Sequence, residues 1–167
     1  MRDEELRIGH GWDVHAFGGN RALVIGGVPV EHDRGVHGHS DGDVLLHAVT
    51  DALLGAAALG DIGEHFPDTD PQFEGIDSRE LLRRIRRLVG DAGWRVVNAD
   101  VTVITEVPRL HPHKEAIQRS LAELLGVETT CVGVKAKTAE RLGPVGRVEG
   151  LEAHAVVLLA RERGRTP

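Results

Sequence analysis

Two periods of hydrophobic spacing divide the chain. Leu45, Ala48, Val49, Ala52, Leu53 and Ala56 recur every three to four residues, the apolar face of a helix expected to end near Gly60. Leu81, Leu82, Ile85, Leu88 and Val89 repeat the pattern behind Ser78, which reads as an N-cap. Arg79, Arg83, Arg84, Arg86 and Arg87 fill the other side of that helix, as a solvated face does. A third helix follows Pro112, with Ile117, Leu121, Leu124 and Leu125 apolar and Gly126 placed to end it.

The other period is that of strands. Leu6-Arg7-Ile8 opens one, and Ala22 to Val30 reads as two short pieces around Gly26-Gly27, a hairpin whose Pro29 marks an edge. Trp94 to Val107 has the β-branched content of a long or bulged strand pair. Val132 to Thr138 and the apolar run Ala153 to Ala160 complete the set. With no repeat and no regular βαβ alternation, this order predicts an α+β domain, a mixed β-sheet with helices on one face. The other face is then left open, and such a face is commonly buried against further subunits.

Gly60 to Gly75 has little periodicity and many acids. A stretch of this length is either a lid or binding loop, held by Ile62, Phe66 and Phe73, or an acidic linker. The length of 167 residues suits one domain, here residues 1–161, with 162–167 a charged tail. A single cysteine, Cys131, excludes an internal disulfide and a cysteine-rich metal site. The charged N-terminus and the lack of a long apolar run predict a cytoplasmic protein with no membrane segment. A net charge of -6, no tyrosine and few other aromatics argue against nucleic acid as a partner.

Ten histidines stand out against this ordinary background. Gly35 to His47 gathers three of them with two aspartates and Ser40. Ser40, with Asp43 three residues on, reads as a variant capping box, which would leave backbone N–H groups near His39 and Ser40 for a phosphate. Asp43, His47 and Asp51 then form a polar stripe, facing either a cleft or plain solvent. Upstream, Asp13 and His15 lie two apart, on one face if the chain is extended. With His47 as third ligand they make a set that zinc accepts with an open fourth position, and that non-haem iron accepts equally.

Arg7 to His15, His39 to Gly55, Gly60 to Pro71 and Lys135 to Gly143, in this order and spacing, closely resemble the 2-C-methyl-D-erythritol 2,4-cyclodiphosphate synthases, from about Leu6 to Arg161. The resemblance implies cyclisation of 4-diphosphocytidyl-2-C-methyl-D-erythritol 2-phosphate with release of CMP, in the non-mevalonate route to isoprenoids. It implies a homotrimer, which would cover the open sheet face and place active sites between subunits. Each subunit would hold one zinc, with magnesium or manganese on the diphosphate.

Matched by position, Asp13, His15 and His47 are the zinc ligands and Glu140 binds the second metal. His39 and Thr138 stabilise the transition state, and Ser40 holds phosphate. Asp61, Gly63 and Asp68 contact the methylerythritol hydroxyls. Thr105 to His111, including Pro108 and Arg109, form the cytidine pocket. Lys137 stands where many relatives have threonine; its extra charge either adds a phosphate contact or points outward. Pro144 stands where relatives often have an aromatic ring; with Trp12, Arg147 and Glu149 it belongs to a cavity on the trimer axis that relatives use for isoprenoid diphosphates, a ligand not expected here without the ring.

The chemistry fits these residue types. The attacking phosphate is already anionic and CMP leaves readily, so the site needs charge neutralisation and alignment more than a strong base. An iron oxygenase, a metal-dependent phosphohydrolase and a non-catalytic trimeric nucleotide-binding scaffold remain as other readings of the same ligand set. His10, His32, His37, His65, His111, His113 and His154 have no assigned role.

Overall fold

The computed structural model describes residues 4–163. Its strands are β1 (Glu4–Gly19), β2 (Val24–Ile25), β3 (Val28–Pro29), β4 (Gly35–Val36), β5 (Arg95–Ile104), β6 (Val132–Lys137) and β7 (Gly150–Glu162). Its helices are α1 (Val44–Ala57), α2 (Ile62–His65), α3 (Ser78–Asp91), α4 (Lys114–Leu125) and α5 (Gly143–Gly146). One five-stranded sheet runs β4-β1-β7-β5-β6, and β2 with β3 form the expected hairpin around Gly26-Gly27. The sheet is mixed, because β5 and β6 are parallel while the other neighbours are antiparallel.

The expected arrangement of helices on one face holds. Gly9 and Gly11 of β1 let α1 lie directly on the strand: a Cβ at Gly9 would come 1.8 Å from the Ala52 carbonyl oxygen, and one at Gly11 1.9 Å from that of Ala48. This close approach fixes the height of α1 over the sheet. Leu45, Leu46, Leu53 and Leu54 are fully buried along the helix, and α3 and α4 complete the layer with Leu82, Ile85, Ile117 and Leu121. On the opposite face Leu6, Ile8, Trp12 and Val14 of β1 and Val156 of β7 are exposed. No helix among the described residues is long and apolar enough to cross a membrane.

Several expectations need correction. Asp43, not Ser40, is the N-cap of α1, and Asp77, not Ser78, caps α3. The reason in the first case is tertiary: the Asp43 carboxylate accepts from Leu45 and Leu46 N–H and also from Gly26 and Gly27 N–H of the hairpin turn. Ser40 Oγ instead accepts Gly42 N–H and meets His47 Nε2. Trp94 to Val107 holds one strand rather than a pair, with its register shifted between Val96 and Asn98, where one extra residue interrupts the alternation. The last strand continues past Ala160 because Arg161 pairs with Glu5 and stacks on Trp94. Gly60 to Gly75 carries a short helix and a 3₁₀ turn, anchored by Phe66 edge-on to a buried Phe73. Of the charged tail, residues 164–167 lie outside the described residues.

Candidate active site

Alternation along β1 points Asp13 and His15 toward the helix layer, and α1 brings His47 down onto them. His15 Nε2 and His47 Nδ1 each lie 3.0 Å from Asp13 Oδ2, and 3.1 Å from one another. Three atoms that carry lone pairs thus converge on one point. Such a cluster repels itself unless a cation or a proton lies between, and one carboxylate with two imidazoles is a donor set zinc accepts. Burial alone would raise the Asp13 pKa, but the hydrogen bonds from His15 and His47 outweigh it and hold the group well below its ordinary value. Burial opposes charge on His47, yet Asp13 raises its pKa, helped by Asp43 and Asp41.

The far side of His47 is held as firmly. Its Nε2 is 2.9 Å from both Ser40 Oγ and Ser78 Oγ. Ser78 donates its hydroxyl hydrogen to Asp41 Oδ1, so it accepts from His47 Nε2–H; without a cation Nδ1 holds a second proton toward Asp13, and a metal ion that displaces that proton meets the Nδ1 lone pair. Asp41 also accepts the Ser78 N–H at 3.1 Å. Ser78 and Asp41 are site residues that sequence reasoning missed. The only sequence signal was the density of capping residues near each, which reads as helix starts.

Ser40 is therefore buried behind His47 rather than free at a helix start. The first N–H groups of α1, those of Leu45 and Leu46, are taken by Asp43. Burial pushes the Asp43 carboxyl up to about 6, against the four backbone N–H groups that favour its charge. Asp43 is thus not part of the polar stripe; Asp51, further along, accepts Ile62 N–H at 2.8 Å and ties the acidic loop to α1. Burial raises the Asp51 pKa.

Beside the triad opens a cleft of about 180 Å³, lined among others by His39, Gly63, Phe66 and Asp68. Asp61 is not in its lining but caps α2, accepting Glu64 N–H at 3.0 Å. A second cavity, of about 400 Å³, lies between the ends of β5 and β6 and is lined by Thr105, Pro108, Arg109, Lys137 and Thr138. Thr105 is buried and its hydroxyl donates to the Val107 carbonyl; the Val107–Pro108 peptide is cis.

Glu106, inside the expected cytidine segment but with no role assigned there, joins the two walls of this cavity. Its Oε1 accepts from Ala139 N–H and Arg141 N–H, each at 3.0 Å. The turn it holds is strained, with Glu140 at φ 52° and Arg141 at φ 64°, a region disfavoured for residues other than glycine. Glu140 is presented next to Thr138, whose hydroxyl donates to its carboxylate at 2.8 Å. Arg147 lines neither cavity and pairs with Glu149 at 2.6 Å.

The two parts face the same end of the sheet. Asp13, Ala153, Val103 and Ala136 form one row across β1, β7, β5 and β6. Two to three strand spacings, roughly 10–14 Å, therefore separate the triad from the second cavity within one chain.

The YgbB family model matches residues 6–160. A curated 2-C-methyl-D-erythritol 2,4-cyclodiphosphate synthase from Pseudomonas aeruginosa is 57% identical over 154 residues, 92% of this chain and 98% of its own. Among solved structures, the bifunctional IspDF from Campylobacter jejuni covers 95% of this chain with a TM-score of 0.92 and 43% identity, this chain spanning 43% of that protein. A 2C-methyl-D-erythritol-2,4-cyclodiphosphate synthase in its CDP-bound form covers 92% of this chain and 99% of its own at 41% identity, with a TM-score of 0.84.

Proposed function

The chain belongs to the YgbB family and carries 2-C-methyl-D-erythritol 2,4-cyclodiphosphate synthase activity in isoprenoid biosynthesis; from this premise we propose how its residues perform the reaction. The substrate is 4-diphosphocytidyl-2-C-methyl-D-erythritol 2-phosphate. An oxygen of the 2-phosphate forms a bond to the β-phosphorus, the bond from that phosphorus to the CMP oxygen breaks, and CMP leaves as a phosphorus–oxygen lyase product. The observation that carries this reading is the convergence of Asp13, His15 and His47 at 3.0–3.1 Å beside a polar cleft.

Asp13, His15 and His47 would hold zinc and Glu140 magnesium or manganese, and these ions neutralise charge on the diphosphate when bound. His39, exposed in the cleft, and Thr138 donate to phosphate oxygens as charge shifts toward CMP. Asp68, with Gly63 and the neighbouring Asp61, holds the methylerythritol hydroxyls and closes the loop over them, excluding water that would otherwise give a linear product. Thr105, Pro108 and Arg109 take the cytidine, and Ser40 supports phosphate binding through His47. Lys137, in the second cavity, adds positive charge toward the diphosphate; Arg147 serves elsewhere, on the turn before β7.

We further propose a homotrimer, residues 1–161 being its catalytic domain and 162–167 a tail, working in the cytoplasm. Its support is twofold: an apolar sheet face left open by the helices, and a site split into halves. Mixing His47→Ala with Glu106→Ala protomers tests it. If each site joins the triad of one copy to the second cavity of another, random exchange restores about a quarter of the sites to wild-type kcat/KM; if each chain works alone, no site of wild-type KM forms and only the weakened turnover of the Glu106→Ala chains remains. The activity itself is tested by phosphorus NMR of the metal-replete protein with substrate and magnesium. Equal amounts of CMP and cyclodiphosphate are expected. CMP with a linear product would make it a hydrolase, and binding without turnover a scaffold.

A further inference from the structure

We propose that His10 and His154 form a second metal site, a two-imidazole clamp for a transition-metal dication such as zinc, on the open face of the sheet. The register pairs Trp12 with His154 and His10 with Val156, so the two histidines are diagonal neighbours on β1 and β7. Their facing nitrogens, His10 Nε2 and His154 Nδ1, are 3.4 Å apart. That is the outer limit of a hydrogen bond. It is also the separation of two ligands about 2.0–2.1 Å from one tetrahedral zinc, roughly 3.4 Å. The two imidazoles of the triad stand at 3.1 Å, so the clamp needs no more adjustment than the triad does.

The clamp is built on a rigid base. β1 and β7 pair without a break from Glu4 to Ala16, and Trp12 packs beside His154 with ring centroids 6.5 Å apart. In the single chain His10 is exposed and His154 half-buried; in the proposed trimer this face meets neighbouring copies, and their side chains or enclosed water complete the coordination. Imidazole pairs favour zinc, nickel or copper; magnesium and calcium, which prefer oxygen, would not bind. Even-numbered residues of this part of β1 face the open side and Asp13 and His15 the helices, so the sheet separates the clamp from the triad and no ligand is common to both.

The test is calorimetric zinc titration of the assembled, metal-free protein. Wild type should bind one zinc tightly and a second more weakly per chain. His10→Gln and His154→Gln should each lose the weaker equivalent and keep the tight one, while His47→Ala should do the reverse. In wild type, imidazole C–H signals absent from the spectra of the two glutamine variants should be those that move with the second equivalent, a readout that does not depend on either variant binding metal. A single zinc per chain in wild type, or a second equivalent that both glutamine variants retain, overturns the proposal.

Discussion

The two halves of the site are built on opposite plans. The triad half is packed: α1 rests on the glycines of β1, and His47 is gripped from behind by Ser78, which leans on Asp41. The second half is a cavity between two strand ends, closed by a turn whose backbone conformation is unfavourable and whose shape depends on one carboxylate, Glu106. On the proposed reading the triad holds a metal, whose ligands need fixed separations, and packing supplies them. A nucleotide that must enter and leave suits an exposed wall held by a few hydrogen bonds. The difference predicts that damage to the first half removes metal and turnover together, whereas damage to the second weakens substrate binding with zinc in place.

The largest effect should come from His47→Ala. Losing one of three ligands forfeits charge neutralisation worth several kcal/mol, so turnover should fall by about 10³-fold or more. Tightly bound zinc measured by mass spectrometry should fall with it. Full zinc content in an inactive variant would remove His47 from the ligand set.

Gly11→Ala comes next and acts through the fold. Its Cβ would meet the Ala48 carbonyl oxygen at 1.9 Å and the Ala52 nitrogen at 2.8 Å, both backbone atoms of α1. The helix would have to lift, at a cost of about 3 kcal/mol or more in unfolding stability, since tight cores yield poorly to added volume. Gly55→Ala on the same helix meets nothing within 4 Å and should instead stabilise by about 0.5–1 kcal/mol. Denaturant unfolding of the pair separates close approach from helix propensity. Similar midpoints would mean that the contact of α1 with β1 does not set the height of His47.

Ser78→Ala tests the support behind the ligand. Without the hydroxyl, Nε2 keeps only Ser40, and Asp41 loses its side-chain partner. A fall in zinc affinity of about 10–100-fold is expected, with the fold intact because Asp41 still accepts the residue 78 N–H. Unchanged affinity would assign the tautomer of His47 to Ser40 alone.

How much of this could be read along the chain follows from what holds each residue. Asp13 and His15 were legible because strand alternation alone puts them on one face, and His47 because helical phase turns it away from the leucines. The hairpin and the Gly126 stop were legible as local backbone requirements. Ser78, Asp41 and Glu106 were not, since each acts on a residue 31 to 37 positions away. The start of α1 was misread for the same reason. Ser40, Asp41 and Asp43 are all capping residues, and the choice among them is made by two N–H groups of a distant turn.

Glu106→Ala should give the smallest effect and the clearest contrast. Both N–H groups of the 139–141 turn end on the same oxygen, Oε1. Removing that acceptor frees a turn already held at positive φ, and Thr138 and Glu140 lose their placement beside the second cavity. A rise in KM of about tenfold is expected, the scale of one lost charged hydrogen bond, with zinc content unchanged because the triad lies two strands away. Glu106→Gln should recover most of the loss, since one amide oxygen can accept both bonds. A charge effect on the diphosphate would give the opposite order, with Gln and Ala alike and both binding the anion more tightly than wild type. Steady-state kinetics on the two variants, with zinc measured on the same samples, decides between a turn that is held and a charge that repels.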